Sequence, residues 1–186
     1  MTAPEPLWRA FERNEITHSA AHYLLAVAAF TKSGRAPRAV EIARHLDVSR
    51  AAASLQLRNL HDQGLIFFDD HQHIHLTRAG ADLVARVASK REVLRVFLSQ
   101  LLGVSPDTAE VDACKVEHLL SEETGAAMVR LIRFLRSERP AAKAFLTEFR
   151  DLAAQCPHDG RCELCTDVCL MDAGTRSSPG KQPTRR

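Results

Sequence analysis

Aromatic residues are scarce in this chain, with one Trp, one Tyr and eight Phe among 186 residues. A large β-sandwich or barrel is therefore disfavoured, and the recurrence of Ala, Leu, Val and Arg at helical spacing points to helices instead. Long hydrophobic runs are also missing: the longest, such as Tyr23–Phe30, fall far short of a membrane span. The N-terminus lacks the basic, apolar and small-residue regions of a signal peptide, so a cytoplasmic location is expected. Charge of one sign is nearly balanced, at +2, so only the pattern of basic residues can announce nucleic-acid binding. No nucleophile–base pair, phosphate loop, metal-hydrolase motif or internal repeat is visible, and a catalytic role is not expected. Five cysteines in a reducing compartment favour metal binding or redox chemistry over disulfides.

What is present is a sequence of short amphipathic helices. Residues 1–14 form a poorly specified arm, and from Thr17 a helix carries Tyr23, Leu24, Val27 and Phe30 on its apolar side before Gly34 ends it. Val40, Ile42, Ala43 and Leu46 mark a second, short helix. After a turn at Asp47 and Val48, Ser49 caps a third, with Ala53, Leu57 and Leu60 on one face. Two short helices joined by a tight turn are a helix-turn-helix signature. Gly64 ends the third helix, and LIFF, DDHQ and HIHLT then read as two strands about a polar turn, which makes the unit a winged helix. Thr77 caps a long helix closed by Gly103, Ser105-Pro106 starts another to about Ser121, and two more run over residues 122–136 and beyond Pro140. The final GTRSSPGKQPTRR has no apolar anchor and is expected to be disordered.

Three constellations carry chemistry. The third helix offers Ser49, Arg50, Ala51, Ala52, Ser54, Leu55 and Arg58. Small residues permit close approach to a major groove, Arg donates to guanine or phosphate, and Ser bonds either. The wing carries His71, His73 and His75 in place of a Lys/Arg run; alternate histidines share a strand face and can bind metal, though exposed hairpin side chains are the commoner case.

Cys114, Glu117 and His118 sit at i, i+3 and i+4, which stacks thiolate, carboxylate and imidazole on one helix face. Cys156, Cys162, Cys165 and Cys169 are spaced C-x5-C-x2-C-x3-C, a cluster expected to hold Zn(II) or an iron–sulfur cluster.

The segment order resembles the diphtheria toxin repressor and manganese transport regulator family of metal-dependent repressors over about residues 17–136. Carrying that resemblance are Tyr23-Leu24, Ile42-Ala43, Leu46, Ser49, Asp62-Gln63-Gly64-Leu65, Leu76-Thr77, Gly80 and Gly103. Most telling is the run from Asp112 to Ser121, which looks like the metal-ligand helix of the iron-responsive branch. The resemblance implies that the residue before Tyr23-Leu24, here His22 where the family more usually has Met or Asp, joins Cys114, Glu117 and His118 in a primary metal site. It also implies an ancillary site, but two matching positions hold Arg91 and Arg95, which cannot ligate a cation, and the third holds Glu110. An ion pair from Arg91 or Arg95 to Glu110 is the expected substitute.

The expected fold is thus mainly α: a winged helix-turn-helix with a small hairpin wing, a helical dimerisation domain and a Cys-rich C-terminal tail. The expected divisions are 1–88 for DNA binding, 89–139 for metal binding and dimerisation, 140–172 for a helix with the cysteine segment, and 173–186 for the tail. The expected function is a homodimeric repressor of metal homeostasis on a double-stranded DNA operator. Fe(II) leads among its ions, with Mn(II), Zn(II), Co(II) and Ni(II) as others that the set can take. A redox or iron–sulfur sensor governed by the tail is the alternative.

Overall fold

In chain order the elements are α1 (His18–Lys32), α2 (Ala39–His45), α3 (Arg50–Asp62), β1 (Ile66–Phe68), β2 (Ile74–Leu76), α4 (Arg78–Val96), α5 (Pro106–Val116), α6 (Glu122–Leu135) and α7 (Pro140–Asp151). The computed structural model describes residues 16–152. The N-terminal arm, the four clustered cysteines and the basic tail lie outside the described residues. The architecture is mainly helical with one two-stranded antiparallel sheet.

Local chemistry sets where the helices begin. Thr17, Ser49, Thr77, Ser105 and Ser121 each accept, through the side-chain hydroxyl, the backbone N–H three residues on, at 3.2, 3.1, 3.1, 3.3 and 3.1 Å. Each such cap satisfies one of the first-turn donors that a helix leaves unpaired, an effect of about 1 kcal/mol apiece. The ends are set by Gly34, Gly64 and Gly103, all at positive φ. Two boundaries differ from the sequence reading: the helix from Ser105-Pro106 ends at Val116 and not at about Ser121, so Glu117 and His118 lie on a turn, and the helix after the wing does not stay regular to Gly103. Residues Phe97–Leu101 widen into a π-helical turn, in which Ser99 Oγ donates to the Arg95 carbonyl and Leu102 N–H to Phe97.

The core of the winged helix joins α1, α2, α3, the hairpin and the first half of α4. Leu24, Val27, Ile42, Leu57, Leu60, Ile66 and Ile74 are almost wholly buried in it. Val40 is exposed, so the apolar side of α2 is narrower than its sequence suggested. In the hairpin Ile66 pairs with Leu76 and Phe68 with Ile74, which turns Ile66 and Ile74 inward and leaves Phe67 outside. Ile74 N–H donates to the Pro37 carbonyl at 2.8 Å, so the wing is tied to the loop before α2.

The start of α4 is pressed against the chain leaving α3. Thr77 donates from its backbone to Leu65 and from its hydroxyl to Gly64, and a Cβ at Gly80 would lie 2.0 Å from the Leu65 carbonyl oxygen. From there α4 contacts α1 and β2 and runs on along α5. Ala109 and Ala113 of α5 are fully buried, a small-residue face suited to close helix approach.

The chain falls into two compact units, Met1–Phe134 and Leu135–Arg186. In the second, Ala142 of α7 is buried while Phe145 and Phe149 are exposed and stack at 6.2 Å.

Gly80 gives a direct test of the junction between wing and α4. Gly80→Ala should lower stability by about 1–3 kcal/mol, because the obstructing atom is backbone and cannot rotate away. Gly125→Ala, whose Cβ would meet only Leu120 Cδ2 at 4.0 Å, should be neutral or stabilising in the same helix-rich unit. Thermal unfolding of the two variants beside the parent checks both signs.

Candidate metal centre and nucleic-acid interface

Residues 92 positions apart meet where α1 and α5 come together: His22 Nε2 and Cys114 Sγ are 3.2 Å from each other. Ligand atoms of His18, His22 and Cys114 all lie within 4.8 Å of one another. His18 and His22 are one turn apart on α1, with ring centroids 4.5 Å apart, and the His18 ring is 4.9 Å from that of His118. Glu117 and His118 follow directly on α5, and the Glu117 N–H to Ala113 carbonyl bond carries the helical path past Val116. The helix itself stops at Val116, so of the expected i, i+3, i+4 set only Cys114 is helical, and the close ligand-atom group comprises Cys114 with His18 and His22, without Glu117 or His118. His18 was not singled out in the sequence, although its i, i+4 spacing to His22 was there to be read.

The polar state of this cluster is unusual. Glu117 has 0% of its surface exposed, and neither carboxylate oxygen has a hydrogen-bond partner; His118 Nδ1 is likewise buried and unpartnered. Burial raises the Glu117 carboxyl from 4.5 to about 7, with the Arg91 guanidinium opposing the rise and Glu110 adding to it. Burial also raises the Cys114 thiol, again opposed by Arg91. Both imidazoles move the other way: burial, then His18 and Arg91, lower His22, while burial, then His18 and His22, lower His118. Neutral imidazoles have a free lone pair, whereas the thiol and carboxyl carry protons that a bound cation would displace. Orphaned buried oxygens beside imidazole nitrogen and sulfur fit a divalent transition ion.

Arg91 of α4 stands beside this cluster. Its Nε donates to Glu110 Oε1 at 3.0 Å, and Nη2 donates to the same oxygen. Glu117 Oε2 is 3.8 Å from Arg91 Nε, too far for a hydrogen bond. Arg95 turns away and pairs with Glu92 through two hydrogen bonds of 2.9 and 2.7 Å. Of the two arginines, then, Arg91 is the partner of Glu110.

The other site is α3. Its inner face is Ala53, Leu57 and Leu60, all buried; Arg50, Ala51, Ala52, Leu55 and Arg58 are exposed and Ser54 is half-buried. Leu55 is 56% exposed, an apolar side chain presented outward between two arginines. Ser49 spends its hydroxyl as the N-cap. In the wing, Asp69 accepts from the backbone N–H of His71 and His73, at 2.9 and 2.8 Å, and meets His73 Nδ1 and His75 Nε2 at 3.2 Å each. The backbone bond from His73 leads in holding the Asp69 carboxyl far below the usual range. The ring of His75 also stacks on Phe67, its register partner, at 5.1 Å.

Glu117 should leave a signature in the metal-free protein. Its folded-state value lies above the unfolded one, so the stability it contributes is complete below about 4.5 and is lost as pH rises through about 7. With chelator present, the melting temperature of the parent should fall over that window, and Glu117→Gln should flatten the fall. An unchanged slope would mean that Glu117 is not the group being titrated.

Residues 77–143 match the family model described as iron dependent repressor, metal binding and dimerisation domain. The chain is 29% identical over 109 residues to an uncharacterized HTH-type transcriptional regulator of Methanocaldococcus jannaschii, covering 58% of this chain and 87% of that one. It is 36% identical over 87 residues to the transcriptional regulator MntR of Escherichia coli, covering 47% of this chain and 56% of the relative. It thus spans little more than half the length of that regulator. In structure, the manganese regulator SloR is similar in fold, with a TM-score of 0.58 at 22% identity over 63% of this chain and 55% of that one. Through its helix-turn-helix, its wing and the matched helices after it, the chain is similar to the diphtheria toxin repressor and manganese transport regulator family of metal-dependent repressors.

Proposed function

We propose that this chain is a metal-dependent, DNA-binding transcriptional repressor of metal homeostasis, iron-responsive, and a homodimer on a double-stranded operator in the cytoplasm. The observation that carries this reading is Glu117, whose two buried oxygens lack any hydrogen-bond partner beside imidazole and thiol groups from α1 and α5. His22, Cys114, Glu117 and His118 are its proposed metal ligands. Thiolate and imidazole suit Fe(II), Zn(II), Co(II) or Ni(II) better than Mn(II), which prefers oxygen. When bound, a divalent ion supplies the positive charge that lets Cys114 and Glu117 ionise while buried.

The chain's own residues do the rest. His22 sits on the first helix of the winged helix, Cys114 on α5, and Glu117 and His118 on the turn that directly follows α5, within the proposed metal-binding and dimerisation region of residues 89–139. Holding the two helices together fixes the angle at which α3 is presented relative to the dimer contacts, and so the spacing of the two recognition helices. Arg50 and Arg58 supply phosphate or guanine contacts, Ser49 and Ser54 polar ones, and Ala51, Ala52 and Leu55 the close apolar fit. The Arg91–Glu110 pair stands where the family resemblance implies an ancillary ion, and we read it as a fixed replacement of that charge.

The role is binding, not catalysis, since the ligand set contains no nucleophile paired with a base. The matched metal-binding domain favours this reading over control by the cysteine tail alone. Cys156, Cys162, Cys165 and Cys169 remain a proposed second site for Zn(II) or an iron–sulfur cluster, supported by their spacing.

Two experiments test these assignments. Glu117→Ala and His118→Ala should each abolish the Fe(II) dependence of operator binding in anaerobic titrations while circular dichroism stays helical; retained dependence in both would remove the primary-site assignment. Arg50→Ala and Arg58→Ala should weaken operator binding, by about 1–3 kcal/mol with relaxed selectivity at one base pair for a base contact, or uniformly across sequences for a phosphate contact. Full affinity in the double variant would take α3 out of the groove.

A further inference from the structure

We infer that His18 is a further ligand of this metal centre, so that α1 grips the ion through two imidazoles one turn apart and the site favours borderline ions over Mn(II). The inference rests on the metal-dependent reading above, whose ligand set contains no residue at this position.

Three observations converge on His18. Its ligand nitrogen lies with those of His22 and Cys114 in a group no wider than 4.8 Å, and the only group of this kind among the described residues includes it. Donors around a tetrahedral zinc-sized ion are separated by about 3.3–3.8 Å, given metal–nitrogen and metal–sulfur distances near 2.0 and 2.3 Å. His22 and Cys114 already stand at 3.2 Å, and His18 is exposed on the first turn of α1. The His18 ring also faces two of the proposed ligands at once, with centroids 4.5 Å from His22 and 4.9 Å from His118. Finally, Glu117, three residues after Cys114, has two buried oxygens with no hydrogen-bond partner, and its charge acts on the Cys114 thiol, so unsatisfied polar atoms lie next to this group.

Adding His18 changes the chemistry of the set. Three imidazoles, one thiolate and one carboxylate present mostly nitrogen and sulfur, the donors that Fe(II), Co(II), Ni(II) and Zn(II) accept more readily than Mn(II) does. Paired histidines at i and i+4 also fix two coordination directions from one rigid helix.

Cobalt(II) alone is the probe, in the full-length chain with Cys156, Cys162, Cys165 and Cys169 replaced by Ser so that Cys114 is the sole remaining thiol. His18→Ala and His18→Gln should each weaken Co(II) binding roughly tenfold or more. Both should shift the visible ligand-field bands while keeping the thiolate-to-cobalt charge-transfer band, and should change the Mn(II) affinity by less than twofold. If both variants bind Co(II) as the parent does, while Cys114→Ser and Glu117→Ala lose it, His18 is not a ligand and the four-residue site stands. Weaker binding with unaltered ligand-field bands would also overturn the inference, since it would make His18 a support for the helix. If none of these substitutions changes Co(II) binding, the metal-centre reading itself fails.

Discussion

A carboxylate sealed from water with nothing to donate to it is the constraint on which the candidate centre depends. Leaving a buried polar group unpaired costs about 1–3 kcal/mol, and a charged one more. Two local responses to this cost are present at Glu117. Its acid form is favoured up to about pH 7, and a guanidinium sits 3.8 Å away. Neither closes the account: the proton leaves the acceptor lone pairs unused, and the donors of Arg91 are directed to Glu110. A cation shared with the neighbouring thiol and imidazoles is the response that would satisfy every orphaned atom together.

The scaffold brings Cys114, three residues before that carboxylate, against His22 of α1. Buried Ala109 and Ala113 allow α5 close approach, and α4, with which α5 has its most extensive contact, touches α1 and the wing strand as well. The same α4 starts at Thr77, whose hydroxyl both caps it and bonds Gly64 at the end of α3. Gly80 then lets the helix rest on the backbone of Leu65 with no side chain between. In the proposed repressor, a displacement at the metal site would reach α3 through these backbone contacts and α4.

Much of this was legible because it is local. Hydroxyl caps, glycines past helix ends and alternation in the hairpin each depend on neighbours within a turn, and they could be read directly. What was not legible depends on pairs distant in sequence. His18 looks like an ordinary first-turn residue until α5 is laid against α1, and nothing local chooses Arg91 over Arg95 as the partner of Glu110. The π-helical turn at Phe97–Leu101 was hidden for another reason: its apolar pattern continues that of α4, and periodicity does not register one extra residue in a single turn.

The interface with DNA makes geometric control effective. The exposed face of α3 carries two arginines, and the wing adds no lysine or arginine between Phe67 and Leu76 while its Asp69 is held ionised by its bonds to the His71 and His73 backbone. If the contacts of the proposed complex are confined to α3 and the wing, little of the affinity would come from phosphate neutralisation, the part of binding that is indifferent to exact placement. One subunit alone then holds weakly. In the proposed homodimer the second half-site is engaged at a high effective concentration only when the two recognition helices match the operator spacing, and that advantage vanishes when they do not. A small change in the angle between α1 and α5 is therefore amplified by the weakness of each single contact, so a sparsely charged recognition face and a metal-set hinge belong to the same design.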